Sequence, residues 1–148
     1  MTPVPEICEL PAQPAAVEVA VTEAAGFTAV VDRGFPRLFG RLAELGVAPA
    51  GAPFIRYLRM GEELELELGV PVPAGSAAED GALPAERVAV LRHIGPFSGL
   101  REAGESLERW VAEQDEQAAG PFWEAYVTDP SSEPDSSKWI TEIHVPLR

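Results

Sequence analysis

Hydrophobic and polar residues alternate in three short stretches of the first half of the chain, as is typical of strands. The three stretches are Ala16–Thr22, Phe54–Arg59 and Glu62–Leu68. In the first of them Val17, Val19 and Val21 share one face, which predicts a half-buried strand. The third alternates glutamate with leucine, so one of its faces is expected to contact water.

Between the first two of these stretches, apolar residues recur at intervals of three and four, which predicts an amphipathic helix. Asp32 is expected to cap this helix, Pro36 to lie in its first turn and Gly46 to end it. Its polar face carries a row of arginines, Arg33, Arg37 and Arg41. Such a row can bind an anion, but a solvated helix face is the favoured interpretation.

The same order of elements is predicted again in the second half of the chain. A strand at Arg87–Ile94 precedes a helix that is expected to end near Gly120. Two further strands are predicted at Phe122–Thr128 and Trp139–Leu147. The intervening segment 73–86 is acidic and rich in small residues, and it is interpreted as a connecting loop.

Two short internal correspondences indicate that the repeated order arose by duplication. Glu67–Val72 resembles Glu142–Leu147 residue for residue, and Gly51–Tyr57 resembles Gly120–Tyr126. A repeated order of elements with matching strand ends favours two copies of one structural unit.

The chain is accordingly interpreted as one domain, residues 1–148, built from pseudo-repeats at about 1–72 and 87–148. The expected fold class is α+β, with antiparallel sheet and the helices on one side of it. A cleft between the two halves is the expected place for a small ligand.

Charge and cysteine content exclude several classes of function. Lysine and arginine number 11 and aspartate and glutamate 24, so the net charge of −13 repels nucleic-acid phosphates. The single cysteine, Cys8, cannot form a disulfide within the chain, and an inert thiol is expected. His93 and His144 have no partner at metal-ligand spacing, so both are expected to be structural, and neither a metal nor another cofactor is predicted.

The chain start and its hydropathy predict a soluble, cytoplasmic protein. Pro3, Pro5 and Glu6 interrupt the start, and the first basic side chain is Arg33, so the pattern of a secretory signal is missing. No apolar run approaches the roughly 18 residues of a membrane span.

The strand Phe122–Thr128 carries the strongest candidate for ligand binding. Alternation places Phe122, Glu124 and Tyr126 on one face and Trp123 on the other. If the Trp123 face packs against the helices, Glu124 faces the cleft between two aromatic rings. A carboxylate flanked by aromatic rings suits a flat cation. A solvated strand face is the alternative interpretation, and the aromatic neighbours favour the ligand site slightly.

Three more residues are considered as site candidates, with a structural alternative for each. Tyr57 and Trp139 are large amphipathic side chains that can line a groove, although packing in the core is the more common role of aromatic residues. Glu142 occupies the position that corresponds to Glu67, on the wet face of its strand. A solvent or inter-strand role is therefore favoured for Glu142.

The late strand pair resembles a known family. The segments 122–130 (FWEAYVTDP) and 138–147 (KWITEIHVPL) are similar to the C-terminal signature of GyrI-like small-molecule-binding domains. These domains are related to the effector-binding domain of the multidrug regulator BmrR. His93–Pro96 and Pro53–Tyr57 also look like features of this family.

The resemblance implies a duplicated βαββ fold of the SHS2 type and a lipophilic aromatic or cationic small molecule as the ligand. It makes Glu124 the charge partner of that ligand and Tyr126 a stacking or hydrogen-bonding wall, with Phe122, Tyr57 and Trp139 as further contacts. Regulators of this kind carry a helix-turn-helix ahead of the domain. No such segment precedes the first predicted strand, so stand-alone binding without direct nucleic-acid contact is expected.

Two alternative functions follow from other proteins that the sequence resembles. Some stand-alone members are hydrolases that open cyclopropane-type DNA-alkylating drugs. There Glu124 would orient or deprotonate water and Tyr126 would assist the leaving group, as general base and acid. Others resemble the gyrase-inhibitory protein, which implies a protein partner rather than a pocket.

Overall fold

Residues 4–148 form eight strands, two α-helices and short 3-10 turns in a computed structural model of the protein. The chain divides into two compact units. The N-terminal unit is Pro11–Ala85, and the C-terminal unit consists of the described residues up to Leu10 together with Glu86–Arg148. Met1, Thr2 and Pro3, which begin the predicted first repeat and include one of the prolines used to argue against a secretory signal, lie outside the described residues.

The order of elements is close to the one predicted. The strands are β1 (Glu6–Leu10), β2 (Gln13–Glu23), β3 (Phe54–Arg59), β4 (Glu63–Pro71), β5 (Gly81–Leu83), β6 (Glu86–Ile94), β7 (Trp123–Tyr126) and β8 (Ile140–Pro146). The helices are α1 (Phe27–Leu45) and α2 (Leu100–Glu113). All strand pairs within each unit are antiparallel, which confirms the α+β class.

The N-terminal unit has the strand order β3-β4-β2-β5, with α1 on one face of its sheet. Leu66 and Leu68 of β4 are fully buried on that face, and the Leu68 side chain lies against Gly34 of α1. The glutamates of β4 occupy the opposite face, as the alternation predicted.

The start of α1 was predicted wrongly, and its end correctly. The helix begins at Phe27 after a 3-10 turn, so Asp32 is not its cap and Pro36 lies in its interior. β-branched residues fill the early turns, and their low helix propensity concealed this part of the helix. Packing of the Phe27 ring on Tyr57 supports the first turn. Gly46 ends the helix with a left-handed φ of 67°.

The valine face of β2 is more exposed than predicted. Val19 is 53% exposed and Val21 is 54% exposed. The opposite face of β2, where Ala16 is fully buried, lies on the side of α1. Because small side chains let a helix approach closely, the helix covers the face with Ala16 and Ala20 and leaves the valines on the other side.

The C-terminal unit has the strand order β1-β6-β8-β7, and α2 covers one face of its sheet. Buried residues from β6, α2 and β8 form its core: Ala89, Leu91, Leu107, Val111, Ile143, Val145 and Leu147. Helix α2 ends at Glu113, earlier than the predicted end near Gly120.

Two strands were not predicted. The strand β1 precedes the first strand predicted from the sequence and pairs with β6. The strand β5 lies inside the segment 73–86 that was interpreted as a loop, and it pairs with the beginning of β2. Both units contain the order strand, helix, strand, strand (β2-α1-β3-β4 and β6-α2-β7-β8), and its origin by duplication stays a prediction. Neither helix of the described chain is long and apolar enough to cross a membrane.

Candidate functional site

Glu124 lies on the face of β7 that α2 covers. It is paired with Ile143 of β8, which belongs to the core beneath that helix. Trp123 points to the other face, where its ring stacks on His144 at a centroid distance of 5.1 Å. The predicted alternation is therefore right, but the expectation that the Trp123 face packs on the helices is wrong. Trp123 is buried on this face, where His144 is its aromatic neighbour.

The Glu124 carboxylate is nearly buried and bonded to a tyrosine. Only 9% of the residue is exposed. The Tyr126 hydroxyl donates to Oε1 of Glu124 at 2.9 Å. Residues two apart on a strand share a face, so β7 itself brings these two groups together. The bond orients the carboxylate within the face that it shares with Tyr126.

Three aromatic rings form a cluster beside this pair, defined here as the aromatic cluster of Phe97, Tyr126 and Trp139. Phe97 meets Tyr126 edge to face at 5.8 Å and packs against Trp139 at 4.8 Å with a 40° tilt. The indole nitrogen of Trp139 donates to the carbonyl of Glu133 at 2.8 Å, which fixes the orientation of that ring. Aromatic rings next to a carboxylate provide both dispersion contacts and a negative field.

The imidazole of His93 contacts the turn that carries Phe97. Its Nε2 atom lies within hydrogen-bond distance, 3.0 Å, of the carbonyl oxygen of Pro96. Gly95 has a φ of 141°, a conformation that side chains rarely adopt. A Cβ on Gly99 would lie 2.8 Å from the His93 ring, so the chain can pass this close only with glycine there. The histidine is structural, as predicted.

A buried hydroxyl lies in the same rung of the sheet. Thr141 of β8 is paired with His93 of β6 on one side and with Tyr126 of β7 on the other. It is fully buried, and its Oγ1 atom has no hydrogen-bond partner within residues 4–148. An unsatisfied buried hydroxyl is costly and unusual, and it offers a polar contact beside the aromatic cluster.

The remaining predicted site residues lie in other surroundings. Phe122 packs against the core of the C-terminal unit. Tyr57 belongs to the N-terminal unit, where it stacks on Phe27 with centroids 6.4 Å apart and an interplanar angle of 10°. Glu142 receives a hydrogen bond from its cross-strand neighbour Arg92 at 3.2 Å, which confirms the predicted inter-strand role.

The other titratable groups point to structural roles. Burial lowers the pKa of the His144 imidazole, against the opposing effect of Glu142. Burial, with a smaller effect from Glu6, raises the pKa of the Cys8 thiol, which agrees with an unreactive side chain. In the described part of the chain, no three metal-ligating side chains come together.

Two residues of this site were missed from the sequence. Phe97 lies on the 3-10 turn before α2, and its position directly after Gly95–Pro96 was the available signal. Thr141 lies on the same face of β8 as the buried Ile143, and alternation along that strand was the available signal.

Comparison with known proteins identifies the family. The sequence matches the GyrI-like small-molecule-binding domain over residues 3–148. The chain therefore belongs to the GyrI-like small-molecule-binding family, and the resemblance found in the late strand pair is confirmed. Among curated proteins, none has a significantly similar sequence.

Solved structures share the fold at low sequence identity. EcmrR in a complex with DNA is 20% identical, with a TM-score of 0.85 over the whole of this chain, which spans 58% of EcmrR. The isolated C-terminal domain of EcmrR is 19% identical, with a TM-score of 0.83 over 100% of this chain and 99% of that one.

Two further structures with this fold carry different descriptions: one is a complex with a ligand and the other is named a hydrolase. SAV2435, solved with bound tetraphenylphosphonium, is 16% identical, with a TM-score of 0.69 over 98% of this chain and 94% of that one. A hydrolase of Listeria innocua is 10% identical, with a TM-score of 0.64 over 97% and 91% of the two chains. At these identities the likeness establishes the fold and leaves the ligand to be argued from the site.

Proposed function

We propose that the protein binds hydrophobic, cationic aromatic small molecules, for sensing or sequestration, through Glu124 and the aromatic cluster. The observation that supports this most directly is the nearly buried Glu124 carboxylate bonded to Tyr126, a member of that cluster. A cation on an aromatic scaffold can contact the carboxylate and the rings together. The ligand of SAV2435, tetraphenylphosphonium, belongs to the same chemical class.

The electrostatics of the whole protein favour the same class. The net charge of −13 raises the local concentration of cations and opposes the approach of anions. At Glu124 the low exposure reduces screening by water, so an ionic contact there is stronger than at the surface. A nucleic acid is not proposed as a ligand, since its phosphates meet the same repulsion.

Within the aromatic cluster, Phe97 and Trp139 are the rings on which the ligand is proposed to stack. The exposed side of Phe97, which is 39% exposed, offers a surface for stacking. Trp139 is oriented by its bond to Glu133, so little entropy is lost when its ring is covered. Thr141 supplies a hydroxyl for ligands that also carry a polar group. Phe122 is proposed as a supporting residue, because it packs against the core of the same unit. Tyr57 stacks on Phe27 within the N-terminal unit, and its role in ligand binding stays a prediction.

Tetraphenylphosphonium and tetraphenylborate test the proposal directly, because they are nearly identical in shape and opposite in charge. Titration of the wild-type protein, followed by calorimetry or tryptophan fluorescence, is expected to show binding of the cation. Affinity for the anion is expected to be weaker by about tenfold or more, which corresponds to about 1.4 kcal/mol. Equal affinities, or no binding of either ion, would contradict the role given to the carboxylate.

Hydrolysis of an electrophilic drug is a second candidate, favoured by the hydrogen-bonded pair of Tyr126 and Glu124. A carboxylate can remove a proton from water, and a neighbouring phenol can donate one to the leaving group. A protein with this fold from Listeria innocua is named a hydrolase.

Incubation with a cyclopropane-bearing alkylating compound distinguishes this candidate from simple binding. A hydrolase is expected to yield more than one molecule of water adduct per protein molecule, measured by mass spectrometry, and to lose that turnover in Tyr126→Phe. A binder protects the compound without converting it. A protein-protein inhibitory module, the third function considered from the sequence, stays a prediction.

A further inference from the structure

The outer edge of β2 is open along its second half. β5 pairs with β2 only at Gln13–Ala15. Asp80 extends this cover by two bonds, from its amide to the carbonyl of Ala15 at 3.1 Å and from the amide of Val17 to its carboxylate at 2.8 Å. Beyond Val17, no described strand pairs with this edge. An open edge is a template for pairing with another strand.

The backbone groups available on this edge can be identified. The bonds to Asp80 show that the Ala15 carbonyl and the Val17 amide point away from β4. In an antiparallel sheet the direction alternates from one residue to the next, so both backbone groups of Val19 and of Val21 also point outward. The amides and carbonyls of these two valines are therefore free to bond a new strand.

The edge lacks most of the features that usually prevent such pairing. Natural edge strands are protected by charged side chains, above all lysine, or by proline, a bulge or short length. Glu18, a charged residue of this segment, is bonded to Arg37. From Val17 to Glu23 the strand contains neither lysine nor proline, and its register with β4 is continuous. The side chains of Val19 and Val21, more than half exposed, add an apolar surface directly beside the free backbone groups.

We propose that a second copy of this chain pairs with β2 at this edge, antiparallel and centred on Ala20, to form a symmetric dimer. In this register Val19 of each copy faces Val21 of the other. Because both residues have outward backbone groups, each of these pairs is a hydrogen-bonded pair, as the geometry of an antiparallel ladder requires. The register thus satisfies the free groups and covers the exposed valines at the same time.

The charges are compatible with this register. Glu18 of one copy faces Thr22 of the other, so no two glutamates of the paired segment lie directly opposite each other. The new ladder ends at the Val19–Val21 pairs, because the amide of Val17 is already bound by Asp80. Like charges in opposed positions destabilise a strand pair, and here they are avoided. A register moved by two residues would place Val21 opposite Val17, whose amide is already bound to Asp80, or Val19 opposite Glu23, so the centred register is favoured.

The arginine row of α1 adds a complementary charge. Arg41 pairs with Asp80 at 3.1 Å and Arg37 with Glu18 at 2.9 Å, so the row runs along the edge of β2. Arg33 lies one helical turn further and forms no ion pair with another described residue. The second copy's Glu18, opposite Thr22, would approach that end of the row.

Sedimentation of the full chain over a concentration series tests the proposal. Each copy carries a net charge of −13, so repulsion between copies should weaken the dimer at low ionic strength. The expected result is a monomer–dimer equilibrium in which the dimer increases with protein concentration and with salt. If the protein is a monomer at all concentrations, at low and at high salt, the proposal is overturned. This holds even if the edge pairs with a strand of a different protein.

Two double variants at the same exposed positions test the register. Val19→Glu with Val21→Glu places like charges opposite each other, and the dimer dissociation constant is expected to rise by about tenfold or more. Val19→Lys with Val21→Glu places opposite charges in the same pairs, and the dimer is expected to persist. Thermal unfolding should show that both variants fold. Equal dissociation constants of the two variants would exclude the centred antiparallel register.

A cross-link gives an independent measurement. Ala20 meets its own equivalent in a non-hydrogen-bonded pair, where Cα atoms are about 4.5 Å apart, close enough for a disulfide. Ala20→Cys, made together with Cys8→Ser because Cys8 is the only other cysteine, is expected to give a covalent dimer on mild oxidation. Moving the cysteine to Thr22 is the control, since Thr22 faces Glu18 and not itself. Cross-linking as efficient at Thr22 as at Ala20 would overturn the proposed pairing.

Discussion

Replacing Glu124 by glutamine is expected to weaken the binding of tetraphenylphosphonium by about tenfold to a hundredfold. The substitution keeps the shape of the side chain and an oxygen for the Tyr126 hydroxyl, and it removes only the charge. A unit charge about 5 Å from a cation contributes about 3 kcal/mol at an effective dielectric constant of about 20. Desolvation of the carboxylate and of the ligand offsets part of this energy, which gives the lower end of the range. Isothermal titration calorimetry measures the difference.

The matched control for this experiment is Glu142→Gln in the same unit. Glu142 carries the same charge on the neighbouring strand β8, but it lies on the other face of the sheet and is bonded to Arg92. Its replacement is expected to change the affinity by less than about threefold, because a partly exposed charge at longer range is screened. If both variants lose affinity equally, the net charge of the protein explains the binding and Glu124 has no special role.

A second ligand separates loss of charge from loss of structure. A neutral aromatic compound of similar size should bind Glu124→Gln at least as tightly as the wild type, since the buried carboxylate no longer has to be desolvated. Loss of affinity for the neutral compound as well would mean that the substitution disturbs the aromatic cluster. The affinity for the neutral compound therefore shows whether a weaker binding of tetraphenylphosphonium is caused by the lost charge or by a disturbed site.

Local patterns in the sequence predicted the strands well because their periodicity is set by neighbours in the chain. β3, β6 and the glutamate-leucine alternation of β4 lie where the two-residue period placed them. β1 could not be found in this way. Its five residues, EICEL, show no alternation, and the strand exists because β6 offers it an edge with which to pair.

The site was predictable in part for a related reason. Alternation alone places Glu124 and Tyr126 on one face of β7, and their hydrogen bond follows from this spacing. Which face α2 covers is decided by packing between distant segments, so the side was predicted wrongly. Phe97 and Thr141 join the site through the turn before α2 and through the register of β8, so their contacts depend on segments that are distant in the sequence.

The exposed valines of β2 show again that the sequence does not reveal which face of a strand a helix covers. An alternating strand has two faces, and apolar residues normally mark the buried one. In β2, Ala16, Glu18 and Ala20 face α1, because a helix close to a sheet requires small side chains or a charge partner on the helix. The valines are left on the other side, where the proposed dimer gives them a partner.

Replacing Gly69 by alanine is expected to lower the free energy of unfolding by about 1–3 kcal/mol, the usual cost of overpacking a core. Gly69 of β4 is paired with Phe54 of β3, whose ring is fully buried and lies across the glycine. A Cβ on Gly69 would lie 2.6 Å from both Cε atoms of that ring, well inside van der Waals contact. Either the ring or the strand must move. Urea unfolding followed by circular dichroism measures the loss.

Gly40→Ala in the same unit is the control for this substitution. Gly40 lies on the exposed side of α1, with no atom within 4 Å of the added Cβ. Alanine there is expected to raise stability by about 0.5–1 kcal/mol, because glycine loses more backbone entropy in a helix. The two variants thus carry the same chemical change and are expected to differ in sign. Destabilisation by both would point to a general intolerance of this unit.

A double-mutant cycle identifies the Phe54 ring as the cause. Phe54→Leu alone leaves space above Gly69 and is expected to destabilise the protein by removing buried apolar surface. Combined with Phe54→Leu, Gly69→Ala is expected to cost less than it does alone, because the added methyl group then occupies part of that space. Contacting residues commonly show coupling energies of about 0.5–3 kcal/mol. Strictly additive effects would mean that Gly69 is required for its backbone conformation and not for the room that it leaves to the ring.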